Sequence, residues 1–145
     1  MRNPKMTSQN ELQIIRFKAR HTRMIKPDAS DAMVEAAQIC ERSKHAYTAC
    51  INGEMIGCAG MTIRSQNCAE PWAMFKPEFK ARPKTMYSIV KRLLTQAMQD
   101  IAPLPAVSMI EPTDTTGRRF LEHLGFKLTD EWVAPQAGLV VYQKG

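Results

Sequence analysis

The pattern of hydrophobic and polar positions is most regular between Pro83 and Ile101. Apolar residues recur there at three- and four-residue steps, at Met86, Ile89, Val90, Leu93, Leu94, Ala97, Met98 and Ile101. This spacing predicts an amphipathic α-helix, and Pro83 suits its first turn because the N–H that proline lacks would have no partner there. Residues 72–75, directly before the basic stretch that precedes the helix, predict a strand that leads into it.

Two apolar segments, residues 46–51 and 54–63, predict a β-hairpin. They are joined by Asn52-Gly53, a pair that readily adopts the positive φ angles of a tight type I′ turn.

A third antiparallel strand is predicted over residues 68–75, after a turn at Gln66-Asn67. Pro71 lies within this strand. Because proline cannot donate to a strand ladder, it predicts a bulge or a splay at this point.

Three elements are predicted before the hairpin: a strand over residues 12–17, a helical turn over residues 21–25 and a helix that ends near Arg42. Asp28 or Ser30 can cap the second helix. The residues predicted to face inward from it are Ala29, Met33, Ala36, Ala37 and Cys40.

Beyond the long helix the pattern predicts a buried strand, a short helix and two further strands, over residues 106–110, 113–124, 126–133 and 139–143. Gly125 suits the left-handed position that ends a helix. A strand, a helix and a strand in this order form a right-handed crossover, which joins parallel strands. The predicted fold is therefore a single α/β domain over residues 1–145 with a mixed sheet, antiparallel in its N-terminal half and with one central parallel β-α-β crossover.

Composition is that of a globular protein, with 44% hydrophobic and 23% charged residues among 145. Residues 1–10 are polar and predicted to be flexible. No apolar run has the length of a membrane span, and the N-terminus lacks the apolar centre of a signal peptide, so we expect a cytoplasmic protein. The net charge of +6 allows an anionic ligand, a nucleic acid or an acidic protein as partner.

The four cysteines, at positions 40, 50, 58 and 68, form no CxxC pair and no cluster with histidine. We interpret them as reduced, buried thiols and predict no metal site. The chain also lacks a Walker loop and the residue order of a Ser-His-Asp triad.

A basic stretch lies between the predicted strand and the long helix. Lys80, Arg82 and Lys84 would stand beside the helix N-terminus, where unbonded N–H groups and the helix dipole favour an anion. The sequence therefore predicts an anion site at this point.

Two motifs in this order of elements resemble the GNAT superfamily of N-acetyltransferases. Residues 75–86, FKPEFKARPKTM, are similar to the family's V-x-P-x-x-R-G-x-G-x-G loop, with Pro77, Glu78, Phe79 and Lys80 in register. Residues 120–126, FLEHLGF, look like the family's L-Y-E-K-L-G-F. The resemblance implies the GNAT fold and transfer of acetyl from acetyl-coenzyme A to an amine of a small molecule or a protein.

In such enzymes the cofactor lies in a splay between the two central parallel strands. The resemblance implies backbone contacts to the pantetheine arm at the end of the strand, and amides around the pyrophosphate at the helix N-terminus. The cofactor-binding residues implied in this way are Met74, Phe75, Lys80, Ala81, Arg82, Lys84 and Thr85.

The chain departs from the family pattern at four positions. Pro83 and Thr85 replace two glycines of the loop, which removes one N–H and adds a branched side chain where phosphate approaches the backbone. Leu121 replaces the tyrosine that often protonates the leaving thiolate, and Asp114 replaces an asparagine that often contacts the cofactor. We therefore expect this loop to bind acetyl-coenzyme A more weakly than the glycine-rich loop of the family does.

Three titratable residues are candidates for acid–base chemistry: Glu70, Glu111 and His123. Each also has a structural interpretation, as an exposed carboxylate for the two glutamates and as a cation at a helix C-terminus for His123. Tyr47 and Tyr87 are candidates to replace the missing tyrosine.

Two other functions fit the sequence. One is a non-catalytic GNAT-like phage protein, either a virion component or a binder of a host factor, which acts through a basic surface or self-associates. The other is nucleic-acid binding through the basic residues Lys76, Lys80, Arg82, Lys84 and Arg92.

Overall fold

The computed structural model describes residues 12–43, 45–64, 67–130 and 138–145. The strands of this part of the chain are β1 Leu12–Arg16, β2 Ala46–Ile51, β3 Glu54–Ile63, β4 Ala69–Phe75, β5 Ala106–Ile110, β6 Lys127–Thr129 and β7 Val140–Lys144. Its helices are α1 His21–Ile25, α2 Asp31–Ser43, α3 Pro83–Ile101 and α4 Thr115–His123, with a 3₁₀-helix at Pro77–Ala81.

The strands form one mixed sheet in the order β1-β2-β3-β4-β5-β7-β6. Among the described strands only β4 and β5 are parallel neighbours, and α3 connects them. This confirms the predicted fold class, including the antiparallel first half and the central crossover.

The hairpin turn has the predicted geometry. Asn52 and Gly53 have φ angles of 54° and 78°, the two left-handed conformations that a type I′ turn requires. The strands on either side pair antiparallel, with a register shift between Ala49 and Cys50.

The predicted interruption at Pro71 is a splay and not a bulge. β4 keeps a continuous register with β3, in which Pro71 lies opposite Met61. On the other side β4 pairs with β5 only at Ala69 and Ala106, and the two strands then diverge. Pro71 follows that divergence, where β4 has no ladder partner on its β5 side.

Helix α3 covers one face of the sheet with the apolar stripe seen in the sequence. Its buried residues are Ile89, Val90, Leu93, Leu94, Ala97 and Ile101. They form the main core with buried residues of the central strands, of α4 and of β7, where Tyr142 is fully buried. Within the described residues, none of the helices has the length and apolar character needed to cross a membrane.

Helices α1 and α2 cover the opposite face, where a second cluster contains Phe17, Ile25, Ala37, Ala46 and Cys58. Of the two predicted caps for α2, Ser30 is the one observed, since its Oγ accepts a hydrogen bond from Met33 N at 3.2 Å. Ala36 is exposed, so its predicted inward position was wrong.

Several boundaries differ from the prediction. The first strand ends at Arg16, and the stretch before α3 contains a short 3₁₀-helix in place of the expected loop. Helix α4 begins at Thr115 because Asp114 caps it, and Gly125 follows with the predicted positive φ, 96°.

The last two strands were predicted from Phe126 and from Leu139. β6 begins at Lys127 and β7 at Val140, each one residue later than predicted. Two predicted stretches, Gln66 in the turn before β4 and residues 131–137 between the last two strands, lie outside the described residues.

His21 is a buried titratable group at the start of α1, with only 1% of its surface exposed. Its Nδ1 accepts a hydrogen bond from Lys18 N at 3.1 Å and lies 2.8 Å from Thr48 Oγ1. An acceptor Nδ1 places the ring proton on Nε2 and keeps the imidazole neutral. Burial lowers the pKa of His21 below its ordinary value of 6.5; the charge of Arg20 acts in the same direction and that of Glu41 opposes it.

We expect this histidine to make the fold less stable in acid. The unfolded chain takes up a proton on this histidine near pH 6.5, and the folded chain does so only at lower pH. The stability that the neutral His21 contributes is therefore complete above pH 6.5 and is lost as the pH falls below it. Urea unfolding at several pH values between 5 and 8 measures the effect. A His21→Gln variant should show a shallower fall in the free energy of unfolding, and an identical pH profile for both proteins would contradict the assignment.

Candidate functional site

The divergence of β4 and β5 opens a cavity of about 220 Å³ between the centre of the sheet and the two helices α3 and α4. Pro71, Trp72 and Ala73 line it from β4, and Ser108 and Ile110 line it from β5. We call it the splay cavity. It lies at the carboxyl side of the parallel pair, where open α/β sheets place their ligands.

One side-chain hydrogen-bond donor on β5 belongs to this cavity, since Ser108 carries a hydroxyl on an otherwise apolar strand. The Trp72 ring packs on the α1–α2 side of the sheet, with its centroid 5.3 Å from that of Phe17. Its buried indole N–H has no hydrogen-bond partner within the described residues.

Helix α4 forms one wall of the splay cavity with Gly117, Phe120 and Leu121. Its N-cap is Asp114, whose Oδ1 accepts from Gly117 N at 2.9 Å. A Cβ at position 117 would lie 2.5 Å from Ile110 Cδ1, so only glycine allows this approach of helix and strand. The Asp114 carboxylate therefore caps α4.

A part-buried hydrogen-bond network anchors α4 to the last strand. Arg118 Nε donates to Tyr142 Oη at 2.9 Å, and Tyr142 in turn donates to Glu122 Oε2 at 3.0 Å. Since Tyr142 is fully buried on β7, this chain holds the helix, and with it the wall of the splay cavity, in a fixed position.

The N-terminus of α3 offers fewer amides than the sequence motif implies. Arg82 N donates to Phe79 O at 3.0 Å, as part of the 3₁₀-helix, and Pro83 has no N–H. Met86 N is used within the helix by Arg82 O. The amides of Lys84 and Thr85 occupy the positions that helices leave unbonded, and α3 has no side-chain cap.

A groove of about 410 Å³ runs between this helix end and α4, and we call it the α3–α4 groove. Lys84 and Tyr87 line it from α3, and Arg119 and His123 line it from α4. Phe120 lines both this groove and the splay cavity, so the two are adjacent. The groove carries positive charge, and a ligand could extend into it from the sheet.

The three predicted acid–base residues are not brought together. Glu70 projects from β4 toward the α1–α2 face and pairs with Arg64, whose NH2 lies 2.5 Å from its Oε1. Glu111 is exposed just after β5, and His123 is exposed in the α3–α4 groove, 6.0 Å from the Tyr87 ring. None of them lines the splay cavity as described.

The two tyrosines considered as replacements for the missing acid also lie elsewhere. Tyr87 donates its hydroxyl to the carbonyl oxygen of His123, and Tyr47 donates its hydroxyl to Asp100. Burial and this hydrogen bond raise the pKa of Tyr47. Burial raises the pKa of the Cys58 thiol to about 12, so it is not an acyl acceptor at neutral pH.

The residues predicted to bind the cofactor lie in different surroundings. Phe75 packs against the main core, and its ring occupies the space that a Cβ at Gly57 would need. Met74 packs on the α1–α2 side. Arg82, Lys84 and Thr85 line a cavity of about 630 Å³ at the start of α3, and Ala81 is exposed beside them.

Of the five basic residues proposed for nucleic-acid binding, the four whose side chains are described do not form one surface. Lys76 pairs with Glu54 at 3.3 Å, Arg82 and Lys84 lie at the start of α3, and Arg92 lies in a different groove, against β1.

Sequence reasoning missed two residues of the site, Ser108 and Arg119. A serine within the apolar strand AVSMI was a signal for the first of them. The place of Arg119 depends on how α4 packs against α3.

No protein-family model matches the sequence, and no curated protein matches it significantly. Solved structures match over nearly the whole chain. An acetyltransferase from Agrobacterium tumefaciens has a TM-score of 0.69 at 14% identity, covering 96% of this chain and 93% of its own. A spermidine N-acetyltransferase chimera from Vibrio cholerae and hSSAT has a TM-score of 0.63 at 13% identity, with 91% and 93% covered.

A Salmonella typhimurium protein described as an acetyltransferase, solved with its cofactor acetyl-coenzyme A, matches with a TM-score of 0.59 at 16% identity and 92% of each chain covered. Matching structures also carry the GNAT family name. At these identities the likeness is one of fold: the chain has the GNAT acetyltransferase fold.

Proposed function

We propose that this protein is an N-acyltransferase that transfers an acetyl group from acetyl-coenzyme A to the amine of a small molecule or a protein. The observation that supports this most is the divergence of β4 and β5 after their pair at Ala69 and Ala106. Beyond that pair, the described part of β4 has no ladder partner on its β5 side. Its free backbone groups can hydrogen-bond an extended amide chain such as pantetheine.

The residues around the splay cavity fit this cofactor. Ser108 supplies a hydroxyl donor within the cavity, and the remaining wall is mostly apolar. The adjoining α3–α4 groove has Lys84 and Arg119 for phosphate groups. Two helix amides and two flexible cations form a weaker phosphate site than a glycine-rich loop, so we expect micromolar affinity.

When bound, acetyl-coenzyme A supplies an activated acetyl group and a thiolate leaving group. Ser108 Oγ–H, on β5 in the cavity wall, would donate to the departing sulfur, a role that the buried Leu121 cannot perform. Because Ser108 is on a strand of the sheet, it would need no rearrangement to do so.

The amine must lose a proton to attack, and Glu70 is the base we assign. It lies on β4, two residues from Trp72, on the α1–α2 side of the sheet. Arg64 contacts Oε1 of this residue, at 3.0 Å from Nε and 2.5 Å from Nη2. Oε2 can therefore take the proton through a bridging water.

Calorimetric titration with acetyl-coenzyme A, followed by mass spectrometry of spermidine and a lysine peptide as acceptors, tests the proposal. We expect micromolar binding and an acetylated amine. A Lys84→Gln/Arg119→Gln double variant should bind about 5- to 30-fold more weakly, because exposed charged contacts contribute about 0.5–1 kcal/mol each. Ser108→Ala should slow acetyl transfer at least about tenfold and leave affinity within about threefold.

Two matched variants serve as controls. Lys18→Gln/Lys127→Gln removes the same charge from exposed positions elsewhere in the fold, and Thr95→Ala removes an exposed hydroxyl from α3. Neither should change binding or transfer. The absence of heat and of any thermal shift at millimolar cofactor would contradict the proposal. Binding with no acetylated amine would instead favour the alternative, a non-catalytic protein that keeps the GNAT fold.

A further inference from the structure

A second groove, of about 710 Å³, lies away from the splay cavity, between the edge strand β1 and the outer face of α3. We call it the β1–α3 groove. Ile14, Ile15 and Arg16 form its β1 wall, and Lys91, Arg92 and Gln96 lie on its α3 wall. It shares none of its described lining residues with the splay cavity.

The fixed charge of this groove is positive. Arg16, Lys91 and Arg92 are cations, and none of the described residues that line the groove is a carboxylate. Asp100, further along α3, is a carboxylate that accepts hydrogen bonds from Tyr47 and from Gln96 Nε2, and the three cations outnumber it. The groove therefore suits a ligand with negative charges.

Its other wall is the edge of a sheet. β1 is the terminal strand in the described part of the sheet and pairs there with β2 alone. A strand edge of this kind can add an extended chain through main-chain hydrogen bonds. Ile15 is 40% exposed, which gives that edge an apolar contact as well.

Side chains along β1 point alternately to the two faces of the sheet. Leu12 and Ile14 pack against the main core, so Arg16, two residues on, is also on the α3 side. Ile15 therefore faces the α1–α2 side. A strand added next to β1 would present every second side chain to the cations of α3 and the others to the side of Ile15.

We propose that the β1–α3 groove binds an extended acidic segment of a partner protein, which adds to β1 as an edge strand. Acidic residues at alternate positions face Arg16, Lys91 and Arg92, and apolar residues between them lie beside Ile15. A nucleic acid fits less well, since the aromatic ring in the groove, Tyr47, is 8% exposed and lies under Arg16 at 5.7 Å, where no base can stack on that face.

A fluorescein-labelled nine-residue peptide of alternating glutamate and valine is the probe, followed by fluorescence anisotropy. We expect saturable binding that weakens as salt is added. Lys91→Gln/Arg92→Gln should weaken it about five- to tenfold. The control Lys18→Gln/Lys127→Gln, which removes the same charge from exposed positions elsewhere, should change it less than about twofold. Hydrogen exchange of the full-length protein should show protection of residues 12–16 by the peptide.

Three results would overturn the proposal. The first is no binding at millimolar peptide. The second is that both double variants weaken peptide binding equally, or that a peptide with its glutamates clustered at one end binds as tightly as the alternating peptide. The third is that an oligothymidylate binds more tightly than the peptide and loses the same affinity in Lys91→Gln/Arg92→Gln. The inference is independent of acetyl transfer: Arg92→Gln alone changes a residue that lines neither the splay cavity nor the α3–α4 groove, and it should leave acetyl-coenzyme A affinity unchanged.

Discussion

Replacement of Leu93 by alanine is expected to lower the free energy of unfolding by about 3–5 kcal/mol. Leu93 is fully buried on α3 in the main core, against the central strands. The substitution loses the transfer free energy of the removed atoms and leaves a void that a close-packed core fills only in part. Whole domains are stable by about 5–15 kcal/mol, so this is a large share of the total.

Urea unfolding followed by circular dichroism measures the loss. Gln99→Ala is the matched control, since it shortens an exposed side chain of the same helix and should change stability by less than about 0.5 kcal/mol. Equal effects of the two substitutions would mean that α3 does not pack on the sheet as described. A large loss for Leu93→Ala alone is the result we expect.

Replacement of Ala73 by phenylalanine is expected to reduce acetyl-coenzyme A affinity about 10- to 100-fold. Ala73 lines the splay cavity from β4 but is exposed, so it stands at the mouth of the cavity. A phenyl ring there would occupy much of the roughly 220 Å³ available. Overfilling a site of this size costs about 1–3 kcal/mol, which corresponds to the expected change.

The fold should tolerate this substitution because no core side chain has to move. Calorimetric titration gives the affinity, and a thermal melt checks that the variant is folded. Ala36→Phe places the same ring on the exposed side of α2 and should leave affinity unchanged. Normal affinity in Ala73→Phe would place the cofactor outside the splay cavity.

The sequence predicted the elements whose signals are local. The apolar stripe of α3 fits a helix and no other regular structure. Asn52-Gly53 between two apolar segments is typical of a hairpin turn. Strand–helix–strand order then determined the parallel pair through the handedness of crossovers. The 3₁₀-helix over Pro77–Ala81 was missed, because five residues contain no apolar period.

The site was less predictable because it arises from tertiary contacts. Ser108 and Trp72 are far apart in sequence, and they share a cavity only because β4 and β5 diverge after one pair. The pairing of Glu70 with Arg64 depends on how the chain turns back from β3 to β4. The role of Asp114 as a cap needed the observed start of α4.

The central claim is that acetyl-coenzyme A binds between β4 and β5 and extends into the α3–α4 groove. A heteronuclear NMR titration of ¹⁵N-labelled protein with acetyl-coenzyme A tests it directly. We expect shifted amide resonances around residues 71–74, 108–110, 84–87 and 117–123. No shifts at millimolar cofactor, or shifts confined to residues of the β1–α3 groove, would contradict it.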